Sequence, residues 1–200
     1  MSKFVIDISD HQEKINFDTL IEGGVEGIII KISEGCSYTD NLWHFVGACK
    51  RLNLPFGFYC YSHATTENRA REEANEVVYL LSTMGITSDP ALGIWYDVEA
   101  DEMFAEGIDT TAICSAFICF MNDAGFSKVG IYTSTLKCTD YMVNSIRPRL
   151  LANYVPYWIA DYRGYNGFAQ TYPDKHVSGW QYNAHGFYGG VEVDCNHWYD

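Results

Sequence analysis

The sequence predicts an α/β fold, a TIM-like (β/α)5β3 barrel forming one domain over residues 1–200. Three observations predict it. Short β-branched or aromatic runs alternate with helix-length segments up to about residue 133, which is the pattern of parallel strands with crossover helices. The last three strand-like runs crowd between residues 155 and 194 without full helices between them. Eight such runs in 200 residues favour closure over a flavodoxin-like open sheet, the structural competitor.

Taken in order, the strand-like runs cover residues 4–8, 27–32, 55–61, 91–98, 128–133, 155–160, 177–182 and 191–194. Residues 17–22 suit a short helix ahead of the second run. Residues 41–52 precede the third and offer Trp43, Val46, Ala48 and Cys49 as an apolar stripe. Residues 66–81 open on Thr66 and a charged turn, then continue as an Ala/Val/Leu helix. Residues 110–122 make a fourth helix, with Gly125 as its stop. Before the last run, Asn183-Ala184-His185-Gly186 and Gly189-Gly190 carry hairpin chemistry.

Composition narrows the function. Against 26 Asp and Glu stand 13 Lys and Arg, a net charge of −13, so nucleic acid and anionic membrane surfaces are excluded as partners. Seven cysteines at irregular gaps, with no CxxC pair, read as small buried hydrophobes in a reducing compartment. The histidines form no HxH or HExxH pattern, and neither a P-loop nor a GxGxxG occurs, so no metal or nucleotide cofactor is expected. The chain turns acidic at Asp7, before any apolar stretch long enough for a signal peptide. The longest apolar run falls far short of the ~20 residues that span a bilayer. The expectation is a soluble chain with no export address.

In a parallel barrel, reactive groups sit at the carboxyl ends of strands. Those ends offer Asp7, Glu34, Tyr59 and Tyr61, Asp97 and Glu99, Tyr132, Trp158, Gln181 and Asp194. Asp97 and Glu99 share one face of their strand while Val98 turns to the helices. The first and last strands adjoin in a closed barrel, so Asp7 and Asp194 should be neighbours. Carboxyls crowded at one mouth raise each other's pKa, which keeps a proton on an acid near neutral pH. Trp158, Trp180, Tyr132 and Tyr182 are candidates for stacking on sugars. A nucleophilic Cys60 paired with His63 is a weak alternative, since neighbours in sequence rarely form such a dyad.

These residues resemble glycoside hydrolase family 25 lysozymes. The resemblance runs in order from Ile6-Asp7-Ile8-Ser9 with Gln12 through Ile30-Lys31-Ile32-Ser33-Glu34-Gly35 and Gly57-Phe58-Tyr59-Cys60-Tyr61. It continues with Asp97-Val98-Glu99, Ile131-Tyr132-Thr133, Trp158-Ile159-Ala160, Trp180-Gln181-Tyr182 and Val193-Asp194 with Asn196. Cys60 stands where the family often has His, which affects one hydrogen bond of the third strand and leaves the acid pair intact.

The resemblance implies a single catalytic domain that cleaves the β-1,4 bond between N-acetylmuramic acid and N-acetylglucosamine in peptidoglycan. Glu99 would be the general acid. Asp97 would hold the substrate acetamide or stabilise charge at the anomeric carbon, and Asp7 and Asp194 would shape the field and bind sugar. Tyr59, Tyr61, Tyr132, Trp158 and Gln181 would line the groove with Glu34 at its rim. It further implies a phage endolysin type, made in a host cytoplasm, acting on glycan strands of the wall, with any wall-binding module absent or separate. A chain at −13 is also expected to need salt, cations or targeting to approach an anionic wall. The competing readings are an endo-β-N-acetylglucosaminidase or chitinase-like barrel, and a glycan-binding barrel without turnover.

Overall fold

The computed structural model describes residues 2–199; Met1 and Asp200, the two ends of the expected domain, lie outside the described residues. In chain order the elements are β1 (Lys3–Ile8), α1 (Phe17–Glu22), β2 (Gly27–Glu34), β3 (Ser37–Tyr38) and α2 (Leu42–Leu52). Next come β4 (Phe56–Tyr61), α3 (Glu67–Thr83), β5 (Ile94–Asp97), α4 (Thr110–Asp123), β6 (Val129–Ser134) and β7 (Tyr157–Ala160). The chain finishes with α5 (Gly167–Thr171), β8 (Val177–Tyr188) and β9 (Val191–Trp198). Helix starts follow from local chemistry. Asn16, Thr66 and Asp109 each turn a side-chain oxygen onto the free backbone N–H groups of the first turn of α1, α3 and α4.

β1, β2, β4, β5, β6, β7, β8 and β9 pair in that order, and β9 returns to β1, closing the barrel; β3 only extends the rim beside β2. Pairing is parallel from β1 through β8. β9 runs antiparallel to both neighbours. One apolar layer fills the space between strands and helices, and Val98 belongs to it. A second fills the barrel interior with Trp95, Trp158 and Trp198 at its centre, their ring centroids 5.3–6.1 Å apart. Three indoles in so narrow a barrel need small residues opposite them. A Cβ on Gly130 would stand 2.5 Å from the Pro156 carbonyl oxygen and collide with the Trp95 ring.

The structure departs from the sequence expectation at the C-terminal end. The hairpin turns only at Gly189-Gly190, where both residues take positive φ (61° and 82°). Asn183–Gly186 instead lies inside β8, where the pairing with β9 shifts register twice. Its polar residues mark bulges, and both strands extend well past residues 182 and 194. Between β6 and β7 the chain makes the 3₁₀ turns Thr135–Lys137 and Pro148–Leu150 and an isolated Cys138–Ile146 bridge in place of a full helix, and α5 is a single short helix. All seven cysteines are free; Cys49, Cys60, Cys114 and Cys195 are buried, whereas Cys119 is exposed, against the expectation of a buried set.

Gly130→Ala is expected to lower stability by about 1–3 kcal/mol, the cost typical of overpacking a filled core. Urea unfolding followed by tryptophan fluorescence measures it, and an unchanged midpoint would contradict this packing.

Candidate active site

The strand register assembles the mouth of the barrel. Asp97 at the end of β5 is flanked by Tyr61 on β4 and Tyr132 on β6, and Tyr132 by Trp158 on β7. Asp7 on β1 lies directly across from Asp194 on β9. These six residues, with Tyr59 and Glu99, line one cavity of about 220 Å³ that also includes Ser9, His11 and Lys31. Eight of the ten residues expected to form the site therefore share it. Gln181 lies beneath the cavity floor. Glu34 stands at the rim, where its carboxylate takes Lys31 Nζ at 2.6 Å and His63 Nε2 at 3.1 Å.

Asp194 reaches the mouth by a different route from the one expected. β9 is antiparallel, so its carboxyl end faces the opposite side of the barrel. Asp194 sits mid-strand, opposite Asp7, because the long hairpin carries the start of β9 beyond the mouth.

A buried hydrogen-bond chain supports the floor. Asn196 Nδ2 donates to Asp7 Oδ2 at 2.8 Å, while Asn196 Oδ1 accepts from the Trp158 indole at 2.7 Å. Gln181 Nε2 donates to Asp7 Oδ2 at 3.1 Å, and Gln181 Oε1 accepts from Tyr132 at 2.8 Å and from Tyr162 at 2.5 Å. Burial, followed by the charge of Asp194, raises Asp7 to about 8 against the opposing hydrogen bonds of Asn196 and Gln181. Asp194 is raised less, to about 6, again chiefly by burial. Of the two neighbouring acids Asp7 is the more strongly raised, so it is the one that keeps a proton toward neutral pH.

Asp97 and Glu99 face the same cavity. Asp97 is only 3% exposed, and its Oδ1 has no hydrogen-bond partner among the described residues. Burial, then the charge of Glu99, raises Asp97 well above the ordinary carboxylate range, with Lys31 pulling the other way. Burial also raises Glu99; Lys137 opposes it and Asp194 adds to it. One acid of such a pair keeps its proton toward neutral pH while the other carries charge beside a cation.

Lys31 is the main residue that sequence reasoning missed. The signal was present: a lone lysine amid Ile28, Ile29, Ile30 and Ile32 on a strand, at the parity that faces the barrel interior. Ser9, His11, Tyr162 and Asn196 were likewise left out of the expected site. Trp180 and Tyr182 are corrected in the other direction. They alternate with the inward Gln181, so they lie on the outer barrel face, where Tyr182 stacks on His197 at 4.3 Å. Cys60 and His63 form no dyad either. Burial pushes the Cys60 thiol far up, Cys60 Sγ approaches Gly35 O, and the His63 ring points to carboxylates at the rim.

The proton kept by Asp7 has a stability consequence. A folded pKa raised above its unfolded value stabilises the fold at low pH, and the contribution disappears as pH rises through the folded value. Wild-type stability should therefore fall between about pH 4 and about pH 8. Asp7→Asn mimics the protonated acid, since its amide accepts from Asn196 and Gln181 and donates to Asp194. The variant is expected to melt above the wild type at pH 8, with the gap closing toward pH 4, in calorimetry across that range. A gap independent of pH would contradict the buried proton.

Comparison with known proteins places this geometry. An autolytic lysozyme of Clostridium acetobutylicum is 29% identical over 189 residues, covering 93% of this chain and 52% of the relative. The modular autolysin LytC of Streptococcus pneumoniae superposes with a TM-score of 0.79 at 25% identity, over 99% of this chain and 47% of that one. A catalytic domain of an endolysin from a bacteriophage of Listeria monocytogenes shares the fold, with a TM-score of 0.71 at 24% identity over 100% of this chain and 94% of that domain. The chain thus spans about half the length of the curated relative and of the autolysin. The family model for glycosyl hydrolases family 25 matches residues 6–191, nearly the whole barrel, and the chain belongs to that family.

Proposed function

We propose that this chain is the catalytic unit of a peptidoglycan hydrolase, a muramidase that cleaves the β-1,4 bond between N-acetylmuramic acid and N-acetylglucosamine. The observation that carries the reading is the Asp97–Glu99 pair, two raised acids lining one cavity. Glu99 gives its proton to the leaving glycosidic oxygen, since burial keeps that proton in place toward neutral pH. Asp97, beside Glu99 at the same mouth, holds the substrate acetamide or offsets charge at the anomeric carbon. Asp7 and Asp194 set the field below the sugar, and Tyr59, Tyr61, Tyr132 and Trp158 supply its walls. Family membership, the relative named an autolytic lysozyme, and the autolysin solved with a synthetic peptidoglycan ligand support this substrate.

The endolysin neighbour supports a phage-type role, with synthesis in a host cytoplasm and action on the wall. The autolysin is modular, which supports a working partnership with a separate wall-binding module. Within the described residues no helix is long and apolar enough to cross a membrane.

Glu99→Gln is expected to lower turnover roughly 10²–10⁴-fold with the fold intact, because an amide cannot deliver the proton. Asp97→Asn should cost roughly 10²–10³-fold, as charge beside the forming oxocarbenium is removed. Reducing-sugar release on purified peptidoglycan reads both, and substantial activity in Glu99→Gln would remove it as the acid.

A second expectation follows from the net charge of −13. Lysis of intact cells should rise as salt is added up to roughly 0.15 M, where the Debye length falls to about 8 Å and repulsion from the anionic wall weakens. Turbidity clearance that is flat across that range would contradict it.

A further inference from the structure

At the rim, one imidazole bridges two carboxylates. His63 Nδ1 lies 2.6 Å from Glu102 Oε1, and Nε2 lies 3.1 Å from Glu34 Oε1. A neutral imidazole carries one N–H and one lone pair, so it can satisfy only one of these oxygens. The imidazolium donates to both. The bridge is therefore complete only in the doubly protonated ring.

Its two ends belong to different loops. Glu34 ends β2, whereas Glu102 sits in the 3₁₀ turn Asp101–Phe104, which begins two residues after Glu99. The other side of that turn is held by a lysine. Lys137 Nζ reaches Asp101 Oδ1 at 3.1 Å and lies 4.2 Å from the centre of the Phe104 ring. The base of His63 is firm, because buried Glu73 accepts its backbone N–H at 3.2 Å and also takes the hydroxyls of Ser62 and Tyr96. The segment that presents Glu99 is thus pinned on one side by Lys137 and on the other by His63.

Resting on the reading of Glu99 as the acid, we propose that His63 is a positioning residue whose imidazolium straps Glu102 to Glu34 and so fixes the loop that aims Glu99 at the bond. The groups facing it are Glu34 and, through Glu34, Lys31 from β2, Tyr61 from β4 at 5.1 Å, Glu73 from α3 and Glu102 from the turn. Asp10 and His11 line the same recess. Hydrogen bonding to Glu102 raises the imidazole above its ordinary range; desolvation opposes it, and the hydrogen bond to Glu34 adds to the rise. Rising pH removes the second proton, one carboxylate is released, and the loop loses its hold on that side. Alkaline loss of turnover then has two sources, the strap and Glu99 itself.

The test compares kcat and KM from pH 5 to pH 9 for wild type, His63→Gln, His63→Arg and Glu99→Gln, with folding checked by circular dichroism. His63→Gln, able to hold one carboxylate, should lower kcat roughly tenfold near pH 5.5 with KM within about twofold, and lose the histidine step in the profile. His63→Arg, a permanent cation with a forked donor set, should recover most of that kcat and keep it to higher pH. The histidine resonances followed by NMR give a readout independent of turnover: Glu102→Gln should lower the His63 titration midpoint. Unchanged kcat and profile in His63→Gln, or an unmoved midpoint in Glu102→Gln, would overturn the strap while Glu99→Gln stays inactive. An active Glu99→Gln would instead overturn the acid reading, and the positioning role with it.

Discussion

The structure depends on a single proton kept by Asp7 beside Asp194 at the seam where β9 closes the barrel against β1. Buried Asp7 and half-buried Asp194 lie side by side and resist ionising together, and among the described residues neither is in a salt bridge. The proton removes that conflict. It lets the closing strands bring acids to the mouth and still make an unbroken ladder. Asn196 and Gln181 then orient the pair, and through Trp158 and Tyr132 they tie it to the indole-filled interior.

That arrangement separates two tasks within one small cavity. The Asp7–Asp194 pair is satisfied from below and serves as a fixed floor. Asp97 and Glu99 stand on the far side, where Asp97 Oδ1 has no hydrogen-bond partner among the described residues. Lys31 supplies the cationic counterweight from β2. The mouth is thus a field set by burial and by register, with little contribution from the exposed charges that dominate the chain's composition.

Much of this was legible before any coordinates. Strand-end acids are readable because parity along a strand is fixed, so Asp97 and Glu99 had to face together with Val98 turned outward. Asp7 beside Asp194 followed from closure alone, although the direction of β9 did not. An antiparallel closing strand announces itself only through its turn, and two glycine-bearing clusters competed for that role. The same parity rule, applied to Trp180 and Tyr182 as it was to Gln181, would have placed both on the outer face. Lys31 was hidden by its apolar neighbours. The contacts of His63 were beyond reach, since they join three loops whose separation in sequence carries no periodic signal.

The most direct measurement is a digest of purified peptidoglycan, reduced with borohydride and analysed for the sugar bearing the new reducing end. New ends on muramitol are the predicted result, because a proton delivered by Glu99 to the bond between N-acetylmuramic acid and N-acetylglucosamine leaves the muramic residue free. New ends on glucosaminitol would move the cut to the other bond and contradict the assignment. No new ends, with wall binding retained, would contradict catalysis itself.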